Sequence, residues 1–250
     1  MQFSSFTVTP TGSLTIPSGL TIRVSGNVNI SGPVTVSPMP VLPGSAMGDS
    51  CYFFPSPGAT TPALSVIQAR SILRPPSAGY GSGGVGTTGG SVAILNAGSL
   101  VIASAGSISA PGPNGIPYYA NNYSGDLGAS AGGIIILASR TSINNAGVIS
   151  ATGGLGPNGG PLYVVENFPA GGGGGGGIVH LLAPFVIAGN TNVSGGPGGA
   201  NGIVAYGQPV GPPGGACGGS GGAAGVTGSP GGAGQIFTTI VADPATLLLP

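Results

Sequence analysis

The chain has 250 residues with four Arg, no Lys, four acids and one His, and its formal charge is zero, against a usual charged share of about 25%. Arg23, Arg70, Arg74 and Arg140 are scattered, so the clustered cations that neutralise phosphate are missing, which excludes a nucleic-acid partner or an anionic membrane surface. Solubility falls to Ser, Thr, Asn and exposed peptide groups.

From the N-terminus, Phe6-Thr-Val-Thr-Pro and Gly12-Ser-Leu-Thr-Ile-Pro, then Val24-Ser-Gly-Asn-Val-Asn-Ile-Ser-Gly-Pro-Val-Thr-Val, alternate apolar and small polar residues with period two. Gly or Pro interrupts every few positions, which predicts short strands joined by tight turns. The first 22 residues carry no positive charge and no continuous apolar stretch, so no export signal is expected. No run reaches the length of a membrane-spanning helix, and no membrane insertion is expected. Residues 1–37 are read as an N-terminal short-strand region serving attachment or assembly. Residues 38–80, rich in Pro and bearing Tyr52-Phe53-Phe54, are read as a linker or collar, with a helix over Ala63–Leu73.

Residues 81–250 form a Gly-rich β repeat domain. The run from Gly133 to Gly154 aligns without a gap on the run from Gly177 to Pro197 and Gly198, at an offset of 44 residues. An earlier copy starts at Gly90 and needs a two-residue adjustment, and a fourth starts at Gly234. Each unit predicts an apolar strand opening after Gly-Gly, a second at Ile102, Ile143 or Ile187, and a third at Ile108, Ile149 or Val193. A glycine-rich excursion then precedes the next unit. Strands this short and apolar must stack on their neighbours to bury their inward residues, which is the logic of an elongated, all-β solenoid-like repeat.

Gly and Pro number 54 and 25, a share that without period would predict disorder. A 40% hydrophobic content and organised Val/Ile/Leu runs argue otherwise. Gly loses more backbone entropy on ordering than any other residue. The runs Gly171–Gly177, Gly195–Gly199 and Gly218–Gly222 are therefore expected to be extended polyglycine (polyproline-II-like) helices packed side by side, their peptides bonded to one another.

The titratable inventory is Asp49, Asp126, Glu166, Asp243 and His180, no two close in sequence, whereas catalysis needs paired groups in mutual reach. No enzyme, catalytic residue, cofactor or metal site is expected. His180 takes the place of Ile136 in the preceding repeat and reads as a strand histidine. The glycine strings lack the Lys of a phosphate loop. Cys51 and Cys217 stand apart and read as buried thiols rather than a disulfide. Tyr118, Tyr119, Tyr123, Tyr163, Phe168 and Tyr206 all fall in the excursions, at similar points of successive units. Stacking collects such positions on one edge, either as a seal for the glycine layer or as a binding edge of rigid aromatic contacts.

Short Ile/Val strands punctuated by Gly-Gly, with Gly171–Gly177 following an aromatic-bearing loop, resemble the glycine-rich receptor-binding adhesins at the tail-fibre tips of T-even-like bacteriophages. They are also similar to Gly-rich β-solenoid repeats of bacterial surface proteins. The phage resemblance implies a sandwich of polyglycine helices whose loops recognise an outer-membrane protein or a glycan, with the six aromatics as candidate receptor contacts. The expectation is a virion protein of a tail fibre, tail tip or head decoration, extracellular after release by lysis. Its N-terminal region would join other virion proteins, and a homo-oligomer is possible within that reading. The alternatives are a self-assembling bacterial surface or matrix protein and, third, an ice-binding protein, for which Thr7, Thr9, Thr15 and Thr21 are a short hint.

Overall fold

The computed structural model describes residues 1–40, 87–116, 128–162, 166–168, 170–202, 214–215 and 217–244. β-Branched residues alternate with small polar ones and each run is cut by Gly, Ser or Asn, so the backbone forms short pleated segments rather than long ones. The first coil is β1 (Gln2–Phe3), β2 (Phe6–Val8) and β3 (Leu14–Ile16), and the second is β4 (Leu20–Val24), β5 (Val28–Ile30) and β6 (Pro33–Val36). A small antiparallel pair follows, β7 (Met39–Pro40) with β8 (Thr87–Thr88). The third coil is β9 (Ser91–Asn96), β10 (Ser99–Ile102) and β11 (Ser107–Ser109), and the fourth is β12 (Ile134–Ser139), β13 (Ser142–Asn145) and β14 (Val148–Ser150). After a hairpin, β15 (Gly160–Leu162) and β16 (Glu166–Phe168), the fifth coil is β17 (Ile178–Ala183), β18 (Val186–Ile187) and β19 (Asn190–Asn192). β20 (Gln235–Ile240) opens a sixth.

Equivalent strands stack in parallel into three sheets, a six-stranded first sheet in the order β1-β4-β9-β12-β17-β20 and two five-stranded sheets, β2-β5-β10-β13-β18 and β3-β6-β11-β14-β19. The fold is all-β and solenoid-like, with no helix among the described residues. The helix expected over Ala63–Leu73 lies outside the described residues. Met39 pairs with Thr88 and Pro40 with Thr87, so the chain leaves and re-enters the solenoid at one point between the second and third coils. Strands from residues 2–36 share all three sheets with strands from residues 91–192.

Rows of identical register fill the interior. Leu20, Val92, Ile135 and Val179 stack along the first sheet, as do Ile22, Ile94, Leu137 and Leu181. They meet Val28, Leu100 and Ile143 of the second sheet and Val34, Ile108 and Ile149 of the third in one apolar core. The corners are closed by side chains that replace missing ladder bonds. Asn27 Oδ1 accepts from the Ser99 amide at 3.0 Å, and Asn145 Nδ2 donates to the Ala188 carbonyl at 2.7 Å.

The first sheet is apolar on both faces, as is usual for a parallel sheet covered on both sides. Its outer face carries Ile134, Ile136, Ala138, Ile178 and Leu182, which pack with Ala131 and Cys217 in a second cluster. Cys217 is buried and disulfide-bonded. That corrects the expectation of buried free thiols: the other cysteine, Cys51, is far away in the sequence, so no spacing pattern signals the bond, and Cys51 itself lies outside the described residues.

The repeat alignment also needs correction beyond Ala183. Ile143 pairs with Val186, not Ile187, and Ile149 pairs with Thr191, not Val193. The turn through Pro184 and Phe185 is one residue shorter than its counterpart in the fourth coil, and the next turn, with Gly189 at φ +55°, loses another. A one-residue shift sends a side chain to the opposite face, and Ile187 is accordingly 46% exposed. Ile143→Ala is expected to cost about 2–5 kcal/mol and Ile187→Ala to stay within about 0.5 kcal/mol, as read by chemical denaturation.

Candidate functional site

Between the third sheet and the next strand of the first sheet, the chain runs out along one glycine-rich segment and back along another. Outbound segments follow β11, β14 and β19, and inbound segments lead into β12, β17 and β20. Each inbound segment enters its strand through the same joint. The amide of Gly133 donates to the Ala110 carbonyl at 2.8 Å, that of Gly177 to Ala151 at 2.7 Å, and that of Gly234 to Val193 at 2.6 Å.

Segment 171–177 is fully buried at the centre. Its bonds repeat every third residue. Gly171, Gly174 and Gly177 donate to Pro157, Gly154 and Ala151, while Gly171 and Gly174 accept from Gly199 and Gly196. Gly173 and Gly176 donate to Ser229 and Gly232 and accept from Gly222 and Gly219. Gly175 donates to Gly215 and accepts from Gly132. Its neighbours are thus the stretches around 132, 154, 197, 215, 220 and 231, on all sides. Neighbours running the same way bond in parallel and the outbound ones in antiparallel fashion.

No side chain fits inside this array. A methyl group added to Gly172, Gly173, Gly174, Gly175, Gly176 or Gly177 would meet a backbone carbonyl of Gly222, Gly196, Ser130, Gly219, Val193 or Gly133. Glycine is required here by the close approach of neighbouring backbones, and the peptide bonds among them satisfy groups that burial would otherwise leave costly.

The excursions expected to carry the aromatics begin where these segments end. Tyr118, Tyr119, Tyr123, Tyr163 and Tyr206 lie outside the described residues. Phe168 lies on β16, paired with Gly160 in the β15–β16 hairpin. The roots of the excursions are linked to one another. Gly115 donates to the Leu155 carbonyl and the Leu155 amide to Asn114 Oδ1 at 2.9 Å. One repeat later, Gly159 donates to Ala200 and the Ala200 amide to Asn158 Oδ1 at 2.9 Å. Ala170 exchanges bonds with Gly225, and Gly202 donates to Val226. Ile116, Leu155 and Val226, at these roots, are exposed.

Sequence reasoning missed the two Asn staples. Their signal was present as Pro113-Asn-Gly and Pro157-Asn-Gly, a turn motif recurring at the repeat spacing.

Of the titratable groups, Asp49 and Asp126 lie outside the described residues, and Glu166 is on β16, opposite Leu162. Asp243 forms a bidentate pair with Arg140, Nε to Oδ1 at 3.1 Å and Nη2 to Oδ2 at 2.7 Å. His180 is buried in the outer face of the first sheet, at the register of Ile136. Its Nε2 lies 2.8 Å from Thr239 Oγ1, and the Phe237 ring stands edge-on to it at 5.6 Å. Burial lowers its pKa from 6.5 to about 4. Among the described residues no three His, Cys, Asp or Glu side chains come together as metal ligands.

No family model, curated protein or solved structure matches this chain.

Two expectations follow. Gly174→Ala places a methyl group on the Ser130 carbonyl and is expected to cost about 3 kcal/mol or more, roughly 6–12 °C in Tm. Gly225→Ala, whose added methyl comes no closer than 3.3 Å to the Thr227 carbonyl, should cost far less. For His180, the unfolded chain takes up a proton below pH 6.5 and the folded chain only below about 4. Stability is therefore flat above pH 6.5 and falls by about 3 kcal/mol as the pH drops from 6.5 to 4. Thermal melts across that window should show the fall, and His180→Ile should flatten it.

Proposed function

We propose that this chain is a non-enzymatic bacteriophage virion protein, of a tail fibre, tail tip or head decoration, that presents loops to a host surface protein or glycan. The observation that carries the reading is the gathering of the excursion roots. Gly115 is bonded to Leu155, Gly159 to Ala200, Ala170 to Gly225 and Gly202 to Val226, with Ile116, Leu155 and Val226 exposed at these roots. Loops held from a stiff base lose less entropy on binding.

In this reading the period-three glycine segments form a slab of polyglycine helices, and the slab is the base. Binding proceeds through shape, aromatic stacking and peptide hydrogen bonds, so it depends little on salt. The disulfide at Cys217 suits oxidising surroundings such as the exterior of a cell or virion. Attachment to other virion proteins falls to the N-terminal coils.

The ice-binding alternative is less well supported. Along the third sheet the outward row reads Thr15, Thr35, Ser109, Ser150 and Asn192, so the threonine ladder stops at its second rung.

Saturable binding of purified protein to host cells is the expected result, lost in the Tyr118/Tyr119/Tyr123→Ala triple variant and unchanged between low and high salt. Equal retention of both proteins by cells, or none of either, would refute the loop-edge reading.

A further inference from the structure

The last strand of the first sheet has an open side. β20 pairs with β17 along its whole length, from Gln235 to Ile240, and among the described residues no strand pairs beyond it. The second and third sheets stop one coil earlier, at β18 and β19. The inward face of β20 therefore overhangs the end of the core. Ile236 and Ile240 continue the register of Val179 and Ala183, yet they are 45% and 63% exposed. Phe185, in the turn after β17, is also exposed.

The described residues after β20, as far as residue 244, do not extend the solenoid over this end. In the fifth coil, the residues following Ala183 pass directly into β18 and β19. After Ile240 the chain instead turns back, and Asp243 clamps Arg140 beside the end of β12, two strands behind β20. Nothing in β20 blunts its edge: Gln-Ile-Phe-Thr-Thr-Ile contains no charge and no Pro, the devices by which edge strands usually resist pairing.

We infer that the open edge of β20 takes the β20 of a second copy of this chain, antiparallel about a two-fold axis through Thr238. The sequence is self-complementary in that arrangement. Pairing centred on Thr238 sets Ile236 against Ile240 of the second copy, Thr238 against Thr238, and Ile240 against Ile236, all on the exposed inward face. Phe237 and Thr239 oppose one another on the other face. The two first sheets become one continuous sheet, and each overhanging Ile pair is covered by the other copy. Head-to-tail stacking lacks this match, because the edge at the opposite end of the sheet is β1, only Gln2–Phe3. An isologous contact of this kind closes on itself and gives a dimer rather than a filament.

The inference goes beyond the loop-presenting reading and is tested independently of it, by sedimentation equilibrium of the full chain. The expected mass is twice the 23.5 kDa of the chain. Thr238 is exposed in the single chain, so Thr238→Lys should keep the parent's β-sheet circular dichroism, while two facing ammonium groups return it to a monomer. Thr238→Glu should behave likewise alone, and an equimolar mixture of the two variants should recover the dimer. Thr238→Cys should form a covalent dimer, since directly opposed residues of an antiparallel pair sit about 4.5–5.5 Å apart at Cα, within disulfide reach. A monomeric parent chain would overturn the inference. So would a dimer that survives Thr238→Lys, or a mass that keeps growing with concentration, the mark of open-ended stacking.

Discussion

Buried peptide groups must find hydrogen-bond partners, and in the glycine array the only partners within reach are other peptides. The hydrogen bonds of segment 171–177 to its neighbours run from backbone to backbone and repeat each third residue, and a Cβ added at Gly172–Gly177 would meet a carbonyl. The absence of side chains is thus what permits the packing. The entropy that Gly gives up on ordering is offset across many such bonds, so the segments are stable only as a set. A single excursion could not be ordered alone.

The solenoid supplies the spacing that such a set needs. Parallel strands of the first sheet deliver one inbound segment per coil, and Gly133, Gly177 and Gly234 enter through the same bond to the residue that follows the preceding strand of the third sheet. The first sheet lies between the apolar core on one face and the second cluster on the other, which is why β12 and β17 are buried at every position. A histidine in such a strand is held neutral by its surroundings, as His180 is by its burial.

Much of the solenoid was legible in the sequence because inward positions of stacked strands must stay apolar. Ile135 on Val179, Leu137 on Leu181 and Ile108 on Ile149 follow directly from the repeat. The shift that moves Ile187 outward was not legible, since a turn one residue shorter leaves composition and periodicity untouched. The array was expected from the glycine runs, but its neighbours were not: which runs meet depends on the direction of each excursion, and that emerges only when the strands are stacked. The aromatics proposed as contacts were chosen by position in the repeat, and of these only Phe168 falls on a described strand. The Asn114 and Asn158 staples, which hold the loop roots, carried a readable turn motif that composition alone obscured.

The glycine segments are ordered by mutual peptide bonds as firmly as the strands they feed. Amide hydrogen exchange resolved by NMR tests it most directly. The amides of Gly173–Gly177 should persist as long as those of Ile178–Leu182, because both open only when the array and the first sheet come apart together. Exchange of Gly173–Gly177 at the rate of an unstructured chain, with Ile178–Leu182 still protected, would contradict it.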